Sequence, residues 1–131
     1  MIGLDTNVLV RYLAQDDPAQ SPKATALIER KLTADDPGFI SIVTIVETAW
    51  VLDRAYGLSA AEVAASVERI LQADVLVVED EREVFTAMTA LKDGHGTFAD
   101  ALIAALGAKA GCSRTLTFDR KAARLPGFEL V

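Results

Sequence analysis

One cysteine, Cys112, and one histidine, His95, are all that the 131 residues contain of either type. The first scarcity excludes an internal disulfide and a cysteine-based zinc cluster, and it fits a reducing cytoplasm. Between Gly111 and Ser113, Cys112 reads as a small buried residue. The second scarcity excludes chemistry that needs two imidazoles. A Ser-His-Asp triad would have to use His95 in the loop Gly94-His95-Gly96, and no G-x-S-x-G elbow accompanies it. P-loop and G-x-G-x-x-G sequences are missing as well. No apolar run approaches the length of a membrane span, so no membrane association is expected. The first residues reach Asp5 without a basic leader, and a secretory signal is therefore not expected. Bases are outnumbered 13 to 19, for a net charge of −6. Such a balance argues against non-specific coating of nucleic acid, whose affinity comes from neutralised phosphates. A nucleic-acid enzyme stays open, because a bound metal ion inverts the sign of an acidic pocket. The acidic excess also suits a basic protein partner.

What is abundant is small and apolar. Half of the chain (51%) is hydrophobic, only 6% is aromatic, and 22 residues are alanine, which favours closely packed helices. The length suits a single domain, 1–131, with a real core. Short apolar runs alternate with helical patterns, which predicts an α/β fold with a mainly parallel sheet. Met1 to Asp5 reads as a short buried strand followed by a helix from Asn7 to Leu13, ended by Asp16-Asp17-Pro18. Ser21-Pro22 reads as an N-cap and first helical position, opening a helix to about Leu32. After the turn Asp36-Pro37-Gly38 come the strand Phe39-Ile40 and a helix from Ser41 through Tyr56, closed by Gly57. Ser59 and Glu62 form a capping box for the next helix. Val75 to Val78 is a strand, Asp80 caps a helix to Lys92, and Thr97 opens an Ala-rich helix that stops before Gly111. Arg114 to Phe118 is a strand, Arg120 to Leu125 a helical turn, and Phe128 to Val131 a last strand. Trp50 and Tyr56 are assigned to core packing, with a partner groove as the alternative.

Four acids stand where apolar runs end or Ala-rich helices begin: Asp5, Glu47, Asp100 and Asp119. Asp5 and Asp119 follow strands, and sites in open parallel sheets gather beyond the carboxyl ends of strands. Glu47 and Asp100 are placed in the first turns of helices. Each has an innocent role on its own: Asp5, Asp100 and Asp119 could cap helical segments, and Glu47 could face solvent. Together, beside Val43, Val46, Val51, Ala101 and Leu102, they point to a shared cation. Two carboxylates ~5 Å apart repel by roughly 3 kcal/mol at an effective dielectric near 20. An all-oxygen site without His or Cys suits Mg²⁺ or Mn²⁺, and Mg²⁺ retains waters, one of which can become a nucleophile.

These residues resemble the PIN domain, and within it the VapC toxins of type II toxin–antitoxin pairs. Asp5-Thr6-Asn7-Val8-Leu9 is similar to the family's opening motif, and Ser41-Ile-Val-Thr44-Ile-Val-Glu47 to its second element. Phe98-Ala-Asp100-Ala-Leu-Ile-Ala-Ala105 is similar to the third, and Thr117-Phe-Asp119 with Arg120-Lys-Ala-Ala-Arg-Leu125 to the fourth. The likeness runs the length of the chain. It implies a three-layer α/β/α sandwich with a parallel sheet of about five strands. It also implies a metal-dependent ribonuclease in which Asp5, Glu47, Asp100 and Asp119 hold Mg²⁺ or Mn²⁺ and Thr6 and Thr117 orient carboxylates. Water activated by the metal would attack an RNA phosphodiester in line, leaving a 5′-phosphate and a 3′-hydroxyl. Arg120, Lys121 and Arg124 would hold the RNA backbone, or else form a solvated helix face. Asn7 matches the motif without a task of its own. A homodimer and a VapB-type antitoxin are implied as partners, with apolar helix faces around Ala60 to Leu71 available to either.

Rival readings are weaker. Val75-Leu-Val-Val-Glu-Asp80 looks like the first strand of a signalling receiver, but the chain ends twelve residues after Asp119, too soon for the rest of that sheet. A dehalogenase-type phosphatase needs an aspartate two positions after the first, and position 7 is Asn. A catalytically quiet PIN-like interaction module is the alternative that only an assay separates from a nuclease.

Overall fold

Short β-branched runs separated by capped helices produce the alternation seen in a computed structural model that describes residues 1–131. The chain folds as two compact units, Met1–Glu79 and Asp80–Val131. Every strand pairing in either unit is parallel.

The first unit is built as β1 (Ile2–Gly3), α1 (Thr6–Ala14), α2 (Gln20–Ala26, extended by a wider π turn Leu27–Lys31), β2 (Gly38–Ile40), α3 (Ile42–Arg54), α4 (Ala60–Gln72) and β3 (Leu76–Val78). β2 lies between the other two strands, with Ile2 opposite Gly38 and Gly38 opposite Leu76. Parallel neighbours cannot be joined by hairpins, so each crossover passes through a pair of helices. Gly38 is glycine for lack of room. A Cβ there would come within 2.8 Å of Leu4 Cδ1 and 2.9 Å of Leu32 Cδ1. β1 is a strand as expected but not a buried one: Ile2 is exposed, and Leu4 is the residue that enters the core. An edge position, paired on one side only, accounts for this.

Helix ends follow local chemistry. Ser41 accepts from Thr44 N–H, and Glu79 Oε1 accepts from Ile42 N–H at 2.9 Å, so the start of α3 is tied to the end of β3. Ser59 and Glu62 make the expected reciprocal box, and Val63, Val67 and Ile70 of α4 are buried. Ser21 does not cap α2. Asp17 takes that role, its Oδ1 accepting from Ala19 and Gln20 N–H groups, while buried Ser21 donates to the Arg11 carbonyl. Those two amides, Gln20 first, hold the Asp17 carboxyl below the ordinary range.

The second unit comprises α5 (Glu81–Lys92), α6 (Phe98–Lys109), β4 (Thr115–Thr117), a 3₁₀ turn (Ala122–Arg124) and β5 (Phe128–Leu130), with Thr115 opposite Phe128. α5 and α6 pack together, burying Val84, Ala87, Met88, Leu91, Phe98 and Leu102. Asp80 was expected to cap α5 but makes no cap bond. It sits at φ 50° with its carboxylate on Lys109, whose ammonium that contact holds above its usual range. Cys112 is exposed rather than buried, because it lies in the turn between α6 and β4. No helix is long and apolar enough to cross a membrane.

Candidate metal and nucleic-acid site

Adjacent parallel strands deliver their carboxyl ends to the same edge of a sheet. β1 ends two residues before Asp5, and β2 ends just before the Ser41 cap of α3. This is why residues 42 positions apart in sequence share one cavity of about 350 Å³, lined by Asp5, Thr6, Asn7, Glu47 and, on its far wall, Arg11 and Tyr56. Thr6 links the two acids. Its N–H donates to Asp5 Oδ1 at 2.8 Å and its hydroxyl donates to Glu47 Oε1. Thr6 itself is buried, so the link is held by packing as well as by hydrogen bonds. Asp5 Oδ2 and Glu47 Oε2 accept no hydrogen bond from the protein.

Glu47 occupies the second turn of α3, not the first as expected, because the helix starts at Ile42. Asp5 and Glu47 are also exposed. The apolar neighbours do not enclose Glu47: Val43, one turn earlier, is 75% exposed. The pair therefore gains its character from sharing one pocket, and not from isolation in an apolar interior.

The far wall of the cavity is a network that sequence reading missed. Tyr56 hydroxyl donates to Asp16 Oδ2 at 2.8 Å and accepts from Arg11 Nη1 at 3.2 Å, while Arg11 Nε donates to Gln20 Oε1 at 2.8 Å. Donation to Asp16 holds the Tyr56 phenol above its ordinary range. The network fastens the end of α1 to the end of α3 and so keeps the cavity's shape. These hydrogen bonds join residues 9 to 45 positions apart, so no local pattern in the sequence pointed to the network. Trp50, assigned to the core, is 61% exposed on α3.

In the second unit, Asp100 lies in the first turn of α6, where its N–H donates to Thr97 Oγ1 at 3.1 Å. Asp119 Oδ1 accepts from Lys121 N–H at 2.8 Å and so starts the turn toward Ala122. Thr117 Oγ1 accepts from the Asp119 N–H at 3.0 Å, so its hydroxyl meets the backbone of Asp119 and not the carboxylate. Arg120, Lys121 and Arg124 are exposed and form no ion pair.

Neither unit gathers three or more His, Cys, Asp or Glu side chains into a metal-holding group. The Asp5–Glu47 pair nevertheless fits a small hard cation. Mg²⁺ is commonly held by one or two carboxylates and keeps several waters, and two carboxylates lining one cavity match that demand.

No curated protein matches the sequence. The PIN domain family matches residues 2–127, nearly the whole chain and both units. PIN domains are three-layer α/β/α proteins and generally metal-dependent nucleases, in keeping with the parallel strands and the acid pair described above. The chain belongs to the PIN domain family and is of nuclease type, a hydrolase acting on nucleic acids.

Proposed function

We propose that the protein is an Mg²⁺- or Mn²⁺-dependent endoribonuclease acting as the toxin of a VapBC-type pair in the cytoplasm. The observation that supports this most is the Asp5–Glu47 pair, joined through Thr6 in one cavity of a PIN chain. Asp5 and Glu47 would hold the cation, and Asp100 and Asp119 are assigned to the same task by their places in the family's motifs. Bound there, the cation supplies Lewis-acid activation of water and neutralises charge on the phosphate. Thr6 keeps the Glu47 carboxylate turned toward the cavity, and the Arg11–Tyr56–Asp16 network keeps the opposite wall in place. Thr117 steadies the Asp119 backbone. Arg120, Lys121 and Arg124, free of carboxylate partners, are suited to phosphate oxygens of RNA. A VapB-type antitoxin and a second copy of the chain are the protein partners of this reading.

The test is cleavage of single-stranded RNA and DNA with Mg²⁺, with Mn²⁺ and with EDTA. Metal-dependent RNA products bearing a 5′-phosphate and a 3′-hydroxyl support the proposal. Growth arrest on induction, relieved by a small co-purifying partner, supports its toxin part. RNA left intact under every metal condition would instead favour a quiet PIN-like interaction module, for which the exposed Val43 and Trp50 of α3 offer a contact face.

A further inference from the structure

We propose that Trp50 and Arg54 form a subsite for the nucleotide next to the scissile phosphate, with a base of single-stranded RNA stacked on the Trp50 indole. The inference rests on the nuclease reading and adds where the substrate's flanking nucleotide lies. On α3 the positions 47, 51 and 55 turn toward the cavity that holds the acid pair, and Glu47, Val51 and Ala55 all line it. Positions 47, 50 and 54 form the adjoining outward ridge, so Glu47 belongs to both rows. Along that ridge, about 1.5 Å of rise per residue places Trp50 roughly one turn beyond Glu47 and Arg54 roughly one more turn beyond Trp50.

The chemistry along this ridge runs acid, aromatic, cation. A single strand entering the acid pair would meet, in order, a metal-holding carboxylate, a flat π-face and a guanidinium. Interleaved aromatic and basic side chains are how sequence-tolerant single-strand sites are made. Trp50 is 61% exposed. Arg54 is also open: its side chain is 70% exposed, and its one carboxylate contact is the neighbouring Asp53 at 3.8 Å, an exposed pair of little strength. A large aromatic left in water beside a carboxylate, with an exposed guanidinium one turn away, is matched by a nucleotide. A purely apolar protein surface would bury the Glu47 and Arg54 charges with only Thr6 and a weak Asp53 contact to offset them.

Trp50 is the chain's one tryptophan, so its fluorescence reports this position alone. A short single-stranded RNA of mixed sequence is titrated against the full chain in EDTA, so that cleavage plays no part. Saturable quenching is expected, with far less from an equally long duplex, whose bases are already stacked. With metal present, Trp50→Ala should raise KM for the same RNA at least about fivefold, the lower end of base–aromatic stacking. Trp50→Phe should recover most of that loss and Trp50→Leu little of it. Arg54→Gln should lower the salt dependence of binding by about one phosphate contact.

An unquenched Trp50 at saturating RNA overturns the subsite, as does a Leu variant that performs like the Phe variant. Quenching that rises with protein concentration in the absence of RNA overturns it too, in favour of a second copy of the chain on this face. Should the Ala variant fail to fold, the wild-type titration still decides. Cleavage by the wild type with an unchanged KM in Trp50→Ala removes the subsite and leaves the nuclease reading standing. Quenching by RNA without any cleavage does the reverse.

Discussion

Replacing Thr6 by valine removes one hydroxyl and keeps the side chain's shape, and its consequences can be worked through. Thr6 is buried, and its hydroxyl donates to Glu47 Oε1 while its N–H remains on Asp5. A hydrogen bond to a charged acceptor contributes about 1.5–3 kcal/mol. Glu47 is exposed, however, so water replaces the lost donor and the net cost to stability falls to about 1 kcal/mol. The melting temperature should drop by about 3–5 °C for a chain of this size. Activity should suffer more. A partner that orients a metal-holding carboxylate typically accounts for about 10–100-fold in metal affinity or turnover. Three measurements on Thr6→Val follow from this: kcat/KM on single-stranded RNA, the Mn²⁺ concentration for half-maximal cleavage, and a thermal melt. Thr6→Ser, which keeps the hydroxyl, should recover most of the loss. A valine variant with wild-type kcat/KM and an unshifted Mn²⁺ midpoint would refute the role given to Thr6.

The other predictions concern the same acids and the packing beneath them. Asp5→Asn keeps a good helix cap and should change stability by less than about 1 kcal/mol while removing cleavage; a folded Asn variant that still cuts RNA would defeat the proposed mechanism. Glu62 has its carboxyl held below the ordinary range, chiefly by the Ser59 N–H, so its contribution to stability is present above the unfolded value of 4.5 and is lost as pH falls through the depressed folded value. Glu62→Gln can still form the capping box but does not titrate, so melts taken from about pH 6 down to about pH 3 should show a shallower acid decline than wild type. Gly38→Ala forces a Cβ against Leu4 and Leu32 and should cost about 1–3 kcal/mol by denaturant titration. An unchanged midpoint would mean that β2 moves aside freely.

Much of this protein was legible before any coordinates. The Ser41 cap, the Ser59–Glu62 box and the Thr97 cap depend on atoms within four residues of one another, and all three form as read. The α/β class followed from the alternation of β-branched runs with helical stripes. Misreadings occurred where a residue's neighbours are distant in sequence. Ser21 had the chemistry of a cap, but packing against the Arg11 carbonyl used its hydroxyl and left the helix start to Asp17. Asp80 looked like a cap and is drawn instead to Lys109, 29 residues away. Cys112 and Trp50 looked buried by composition and are not.

The sequence by itself determined the order of the elements, the parallel α/β character and the Ser41, Ser59 and Thr97 helix caps, because these depend on local spacing and on residue chemistry. Only the tertiary structure decided that Asp5 and Glu47 share a cavity through Thr6, that Arg11 and Tyr56 close its far wall, and that Trp50 stands in solvent beside them. The reason is geometric. Periodicity tells which face of a helix is apolar, whereas the direction in which that face points depends on neighbouring strands brought together from far along the chain.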